Sequence, residues 1–160
     1  MSQKEELKQV TRLGVYGVSV RDNKILLVTK GSDGVYANLL DLPGGGVEFG
    51  ESPEETLARE FQEEVGMTFE SCALITNLSH TRMITKNEHQ GITSFHHLGQ
   101  IYAVYGAKDA LGVTAEDEFH WYPLAALTEN RLTPFAREIL LKLQAQMRQL
   151  SEKTASFSIL

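Results

Sequence analysis

The chain has 160 residues, of which 42% are apolar and 22% are charged, which is typical of one globular domain spanning residues 1–160. Its single cysteine, Cys72, excludes an intramolecular disulfide framework and a multi-cysteine zinc site, and it favours a reducing, cytoplasmic compartment. No stretch approaches the roughly eighteen continuous apolar residues of a membrane span, so we expect no membrane partner.

The negative charge is concentrated in one segment. The 21 acidic and 15 basic residues give a net charge of −6, and the stretch from Glu48 to Glu64 holds seven acids and one base. The rest of the chain is therefore neutral overall. Because this segment repels phosphate backbones and no basic stripe lies elsewhere, we expect no duplex nucleic acid partner.

Strands and a glycine-rich loop are predicted before the acidic segment. Apolar residues alternate from Leu13 to Val20 and form a run from Ile25 to Val28, which predicts a β-hairpin that turns at residues 21–23. A short strand from Leu39 to Pro43 leads into Gly44–Gly46. A loop of specific shape is expected there, because glycine adopts conformations that are closed to other residues.

A helix follows, with signals at both ends. Ser52 is an N-cap candidate, Pro53 suits the first helical position, and Glu55 completes a capping box. Gly66 is the matching C-terminal stop. One helical face carries the apolar residues that we expect to pack on a sheet, namely Leu57, Ala58, Phe61 and Val65.

Three strands and a second helix are predicted after the acidic segment. The strands cover Cys72–Leu78, Thr93–Tyr105 and Phe119–Tyr122. The helix spans about residues 134–150 and leaves a tail, 151–160, without a strong signal. Its apolar stripe comprises Ala136, Ile139, Leu140, Leu143, Met147 and Leu150. The sequence thus predicts an α+β fold in which helices cover a mixed β-sheet.

Glu60, Glu63 and Glu64 are spaced so that three carboxylates share one helix face. They repel one another, which a sequence selected for stability alone would avoid. A hard divalent cation such as Mg²⁺, together with a backbone carbonyl from Gly44–Gly46, would compensate their charge. Spacing alone leaves a merely solvated acidic face equally open.

The stretch from Gly45 to Met67, GGVEFGESPEETLAREFQEEVGM, resembles the signature of the Nudix hydrolases. Every fixed position of that signature is present: Gly45, Glu51, Arg59, Glu60, Glu63, Glu64 and Gly66. Phe61 is aromatic where an aliphatic residue is commoner, and the preceding Leu42-Pro43-Gly44 is typical of the family. The resemblance is to MutT-like nucleotide pyrophosphohydrolases, and it implies a Nudix-type α/β/α sandwich.

The resemblance also implies a chemistry. A Mg²⁺-dependent enzyme, with Mn²⁺ as a substitute, would cut a diphosphate linkage in a nucleoside diphosphate linked to another group, by attack of metal-activated water on phosphorus. The implied metal ligands are Glu60, Glu63, Glu64 and the carbonyl of Gly45. Glu51 and Arg59 would complete the catalytic set by tying glutamates and loop together through charge-assisted hydrogen bonds. The alternative for Glu51 and Arg59 is a purely structural role, in which they hold the loop against the helix.

Some Nudix subfamilies carry additional sequence patterns outside the signature, and those missing here narrow the class of substrate. The patterns of the ADP-ribose, NADH, diadenosine polyphosphate and coenzyme A groups are missing, which leaves a nucleoside triphosphate, a damaged nucleotide or an unassigned branch. Arg12, Tyr16 and Arg82 are the candidate substrate contacts. Further aromatic candidates, each more readily explained as core, are Phe95, Tyr102, Phe119 and Trp121. His96 and His97 are adjacent on a strand and cannot ligate one metal together.

A general base outside the signature is useful if its glutamates all hold metals. The candidates are Glu116, Asp117 and Glu118, which lead into the strand at Phe119, although a solvated loop explains them as well. The alternative function is a non-catalytic Nudix-like nucleotide-sensing module. Retention of every signature glutamate favours the enzyme, because only metal chemistry requires them. The sequence leaves a homodimer open.

Overall fold

A computed structural model describes residues 7–33, 36–85 and 92–157. The strands are β1 (Lys8–Val18), β2 (Val20–Arg21), β3 (Lys24–Thr29), β4 (Leu40–Asp41), β5 (Gly44–Gly46), β6 (Met67–Thr68), β7 (Ser71–Thr85), β8 (Ile92–Tyr105), β9 (Lys108–Asp109) and β10 (Phe119–Pro123). The α-helices are α1 (Pro53–Val65) and α2 (Pro134–Phe157), and short 3₁₀ turns cover Leu124–Ala126 and Glu129–Arg131. No helix within these residues is both long and apolar enough to cross a membrane.

The strands form two principal sheets. In the first, with order β5-β1-β8-β7, β1 and β8 are parallel and the other neighbours are antiparallel. The second has the antiparallel order β10-β3-β2, and β4 also pairs with β3. Strands β6 and β9 form a small separate pair. The predicted α+β class with a mixed sheet is therefore confirmed.

The predicted N-terminal hairpin is only partly correct. A tight turn does join β2 to β3, and its residues Asp22 and Asn23 adopt left-handed φ angles of 50° and 59°, which Asp and Asn tolerate. Strand β1, however, pairs with β8 in the first sheet, whereas β2 and β3 belong to the second. The chain passes from one sheet to the other at the buried Ser19. The prediction of a loop at Gly44–Gly46 is wrong, since these residues form β5 and pair with β1.

Helix α1 begins and ends as predicted. The Ser52 hydroxyl accepts a hydrogen bond from the Glu55 amide, and the Glu55 carboxylate accepts one from the Ser52 amide. Gly66 ends the helix with a left-handed φ of 63°. The buried face differs at one position, because Thr56 is fully buried whereas Ala58 is only half-buried. The Thr56 hydroxyl remains satisfied by donating to Glu51.

The two helices cover opposite faces of the strands, which confirms the α/β/α sandwich. Alternate residues of β3 supply the two cores, as expected from the period-two geometry of a strand. Ile25 and Leu27 belong to the cluster beneath α2, whereas Leu26 and Val28 belong to the cluster beneath α1. Each cluster therefore has its own helix and shares the same strands.

Two elements are longer than predicted. Strand β7 continues to Thr85 because its second half pairs with β8. This half is mostly polar, so the apolar pattern of the sequence did not predict it. Helix α2 continues to Phe157, beyond the predicted end near residue 150. Leu150 is 65% exposed, so its assignment to the covered stripe is wrong, because the helix outruns the sheet. Residues 158–160 of the predicted tail lie outside the described residues.

Candidate active site

The glycine strand β5 brings the backbone against the acidic helix. Gly44 has a φ of 148°, and a Cβ at this position would collide with the carbonyl oxygen of Val15. A Cβ at Gly45 would collide with the carboxylate of Glu60. The absence of side chains on these glycines therefore allows a carboxylate of α1 to lie directly on the backbone of β5.

Arg59 joins three of the carboxylates. Its Nε donates to Oε1 of Glu51 at 2.7 Å and its Nη2 to Oε2 of the same residue at 3.0 Å, which is a bidentate pair. Its Nη1 donates to Glu60 at 2.8 Å and to Glu63 at 3.2 Å, and Nη2 reaches the carbonyl oxygen of Gly46 at 3.2 Å. One guanidinium thus connects the loop before α1, two glutamates of α1 and strand β5.

These contacts shift the acidity of the groups involved. The hydrogen bonds from Arg59 lower the pKa of Glu51 to about 2, with help from the Thr56 hydroxyl and the Glu48 amide. The same bonds raise the pKa of Arg59 above its ordinary value. Both groups therefore remain charged throughout the physiological range.

Glu64 lies apart from the Arg59 group. Its Oε2 accepts a hydrogen bond from the Gly44 amide at 2.9 Å, and its Oε1 lies 3.9 Å from the ammonium of Lys30. Its side chain is only 13% exposed, and burial raises its pKa to about 8. Negative charge on Glu64 is therefore costly unless a cation lies nearby.

The donor chemistry of this region suits a hard divalent cation, since it combines carboxylates with backbone oxygens. In this conformation the donors are not gathered around one point, because Arg59 binds Glu60 and Glu63 while Glu64 turns towards Gly44 and Lys30. Accordingly, no three acidic, histidine or cysteine side chains in the described parts of the chain enclose a metal position. Arg59 engages one oxygen of Glu60 and one oxygen of Glu63, which leaves the second oxygen of each carboxylate for a metal ion.

A cavity of about 280 Å³ opens beside the glutamates, on the side of the strands that α2 covers. Its aromatic walls are formed by Tyr16, Tyr36, Phe95, His97 and Phe135. Its charged walls are formed by Arg12, Lys30 and Asp41. Gly46 lines the cavity and also accepts a hydrogen bond from Arg59, so the cavity and the Arg59 group meet at β5.

Tyr16 and His97 form a polar contact within the aromatic wall. Their Oη and Nε2 atoms share a hydrogen bond of 2.9 Å, and both rings pack against Phe135. Burial lowers the pKa of His97 to about 4 and raises that of Tyr16. At neutral pH this wall is therefore uncharged.

Asp41 is a buried acid at the end of the cavity. Its Oδ1 accepts hydrogen bonds from the Leu42 amide at 2.8 Å and from the Thr133 hydroxyl at 2.6 Å, and its Oδ2 lies 3.6 Å from Nζ of Lys30. Burial raises its pKa, while Lys30 and these hydrogen bonds oppose the shift. The sequence interpretation missed Asp41 and Lys30, although one signal was present, namely an acid within the apolar run of residues 39–43.

The predicted substrate contacts fare differently. Arg12 and Tyr16 both line the cavity, and the guanidinium of Arg12 lies over Gly46. Arg82 does not line the cavity. Its guanidinium lies 5.5 Å from the ring centre of Tyr36, and Tyr36 does line the cavity. Of the further aromatic candidates, Phe95 lines the cavity, whereas the others pack on the α1 side, namely Tyr102, Phe119 and Trp121.

The two histidines do lie on opposite faces of β8, as predicted. His96 contacts Ser79 and Thr11, whereas His97 contacts Tyr16 in the cavity. Of these two histidines, only His97 lines the cavity.

The loop at residues 116–118 docks on the C-terminal end of α1. The amides of Glu116 and Asp117 donate to the carbonyl oxygens of Glu63 and Glu64 at 2.8 and 3.2 Å. The charge of Asp117 contributes to the raised pKa of Glu64, so this side chain lies near the site. Glu118 instead pairs with His120 at 3.1 Å, and the side chain of Glu116 is exposed.

The fold is that of a Nudix domain. The model of the NUDIX domain matches residues 10–143, and the chain therefore belongs to the Nudix family. Members of this family generally need a divalent metal ion. The resemblance seen in the signature is thus confirmed over most of the chain.

Individual relatives agree with this assignment. The 8-oxo-dGTP diphosphatase of Escherichia coli (strain K12) is 41% identical over 59 residues, which are 37% of this chain and 46% of that protein. The ADP-ribose pyrophosphatase of Methanocaldococcus jannaschii is 44% identical over 55 residues, 34% of this chain and 32% of that protein. The chain therefore spans less than half of the length of either relative.

A solved structure covers more of the chain. The crystal structure of the MutT NUDIX hydrolase from Burkholderia pseudomallei superposes with a TM-score of 0.64 and 26% identity. It covers 83% of this chain and 97% of its own chain. The similarity therefore extends well beyond the signature.

Proposed function

We propose that this chain catalyses metal-dependent hydrolysis of a diphosphate linkage in a nucleotide-type substrate. The observation that carries the proposal is the meeting of the cavity with the Arg59 group at β5, where Gly46 lines the cavity and also contacts Arg59, which in turn binds Glu60 and Glu63. A ligand whose base occupies the cavity would place its phosphates next to Glu60 and Glu63.

The favoured substrate is a nucleoside triphosphate, including a damaged nucleotide. Aromatic walls and a few polar groups suit a nucleobase. The two curated relatives are named for different substrates, 8-oxo-dGTP and ADP-ribose, so they favour a nucleoside diphosphate derivative without choosing between these groups. ADP-ribose therefore belongs in any test, although its subfamily pattern is missing from the sequence.

The metal is proposed to be Mg²⁺, with Mn²⁺ as a substitute, held by Glu60, Glu63, Glu64 and the backbone of Gly45. Divalent ions bound there would neutralise phosphate charge and favour attack of water on phosphorus. Arg59 and Glu51 would position the glutamates through the hydrogen bonds described above.

The remaining roles fall to residues outside α1. Arg12, which lies over Gly46, would contact a phosphate at the mouth of the cavity. A carboxylate would orient or deprotonate the attacking water. Within the loop at 116–118 we favour Asp117 for this role, because it is half-buried against the end of α1 whereas Glu116 and Glu118 are exposed.

The proposal places the protein in a reducing, cytoplasmic compartment, as the single cysteine favours. Its partner there is a small-molecule nucleotide. A homodimer stays a prediction.

The test is phosphate release from a panel of nucleoside triphosphates, ADP-ribose, dinucleotides and sugar nucleotides, with and without Mg²⁺. We expect turnover of at least one substrate only with the metal. Glu138→Gln, an exposed acid paired with Lys142 on α2, provides a variant that should retain full activity. Binding of a nucleotide without turnover of any panel member would contradict the enzyme and favour the nucleotide-sensing module.

A further inference from the structure

Lys30 lies between the cavity and the acidic helix. Its side chain lines the cavity and is 29% exposed. Its Nζ lies 3.6 Å from Oδ2 of Asp41 and 3.9 Å from Oε1 of Glu64. Both distances exceed those of a tight charge-assisted hydrogen bond, so the ammonium is shared by two carboxylates and committed to neither.

The two carboxylates differ in how firmly they are held. Asp41 is fixed through Oδ1 by the Leu42 amide and the Thr133 hydroxyl, and its side chain is only 8% exposed. Glu64 is held through Oε2 by the Gly44 amide, which leaves Oε1 facing Lys30. The oxygen of Glu64 that faces Lys30 is therefore the one that another cation could take over.

Resting on the proposed function, we propose that Lys30 is an exchangeable counter-ion. It neutralises Glu64 while that carboxylate carries no divalent ion, and it passes to a phosphate oxygen of the nucleotide once Glu64 is engaged. Asp41 retains its own link to the ammonium in both states and keeps Lys30 at the junction of cavity and helix.

The chemistry of lysine suits this role. Its ammonium is a point charge on a flexible four-carbon stem, so it can change partners without rebuilding a planar hydrogen-bond geometry. The exchange also avoids leaving Glu64 buried and unpaired when no metal is bound, which would be costly. Arg59 does not fit the role, because its guanidinium is engaged with Glu51, Glu60 and Glu63.

The inference is tested first with Lys30→Met. Mn²⁺ binding, measured by electron paramagnetic resonance without nucleotide, should become tighter by about threefold to tenfold, because a competing cation is lost from Glu64. Binding of α,β-methylene analogues of ATP and GTP, measured by calorimetry with Ca²⁺ present, should weaken at least about tenfold. Lys24→Met, at the exposed start of β3, the strand that ends just before Lys30, should change neither value.

Asp41→Asn supplies a result of opposite sign. Without the charge of Asp41, Lys30 should pair more fully with Glu64, so Mn²⁺ binding should weaken. A merely structural role for these residues would shift Mn²⁺ binding in the same direction for both variants, and that outcome would overturn the proposal. If Lys30→Met fails to fold, the double variant Lys30→Met with Asp41→Asn removes both charges and should still bind Mn²⁺ more tightly than the parent.

The outcomes separate this inference from the proposed function. A parent protein that hydrolyses a nucleotide while Lys30→Met binds metal and analogue normally refutes only the role of Lys30. A parent protein that neither binds the analogues nor hydrolyses any panel member refutes the proposed function, and with it the phosphate half of the exchange.

Discussion

The glutamates of α1 and the cavity beneath α2 are supplied by the chain in different ways. The signature glutamates, Arg59 and the glycine strand come from one continuous stretch, residues 44–64, and most of their contacts join residues close in sequence. The cavity takes its walls from β1, β4, β5, β7, β8, the segment after β3 and the start of α2. A local cluster depends on its own sequence, whereas the cavity depends on the packing of five strands and a helix that are far apart in the chain.

The first prediction concerns whether the catalytic acids include a residue of the loop at 116–118 as well as the glutamates of α1. If a loop acid is the general base, Asp117→Asn should reduce kcat by about a hundredfold to ten-thousandfold while Mn²⁺ affinity stays close to that of the parent. Glu116→Gln and Glu118→Gln should have little effect, since Glu116 is exposed and Glu118 pairs with His120. Normal turnover in all three variants, together with an inactive Glu60→Gln, would place the base on α1.

A second experiment separates chemistry from stability within α1. Glu63→Gln removes one charge from the proposed metal site, so turnover should fall at least about a hundredfold. Because the side chain is 44% exposed and its neighbours are also acidic, the melting temperature should hold or rise. The control is Glu138→Gln, which also removes an acid paired with a cation at i,i+4 on a helix. Near-normal turnover of Glu63→Gln would remove Glu63 from the metal ligands.

Metal binding should be visible without any substrate. Millimolar Mg²⁺ or Mn²⁺ should raise the melting temperature by about 5 °C, because only the folded state holds the carboxylates on one helix beside the backbone of β5. Replacing Glu60, Glu63 and Glu64 together with Gln should abolish the rise in a calorimetric or dichroism melt. A rise that persists in the triple variant would place the metal elsewhere.

The smallest expected effect lies in the cavity wall and depends on pH. Burial lowers the pKa of His97 to about 4 in the folded protein, from its ordinary value of 6.5 in the unfolded chain. Between these values only the unfolded chain binds the proton, so the contribution of His97 lowers stability as the pH falls from 6.5 towards 4. Urea melts across this range should show a shallower pH dependence in His97→Gln, whereas His120→Gln serves as an exposed control. An unchanged slope in His97→Gln would show that His97 is not buried in its neutral form.

The same contrast explains what the sequence could predict. Ser52, Glu55 and Gly66 define α1 through local rules, and the structure confirms all three. The glycines were misread as a loop because pairing of β5 with β1 joins segments roughly thirty residues apart, which no local pattern encodes. Asp41 and Lys30 were missed for a related reason. The acid within an apolar run hinted only at Asp41, and both residues become candidates once the fold brings Thr133 and Glu64 alongside them.

The hydrogen bond between Thr133 and Asp41 joins residues 92 positions apart, and Leu40 and Leu132 form a bridge beside it. Contacts of such long range are slow to form, because the intervening chain must be ordered before they bring any gain. A chain emerging from the ribosome could complete α1, with its capping box and Arg59 contacts, well before residue 133 exists. The cavity could close only afterwards, so nucleotide binding would report that synthesis and folding had reached α2.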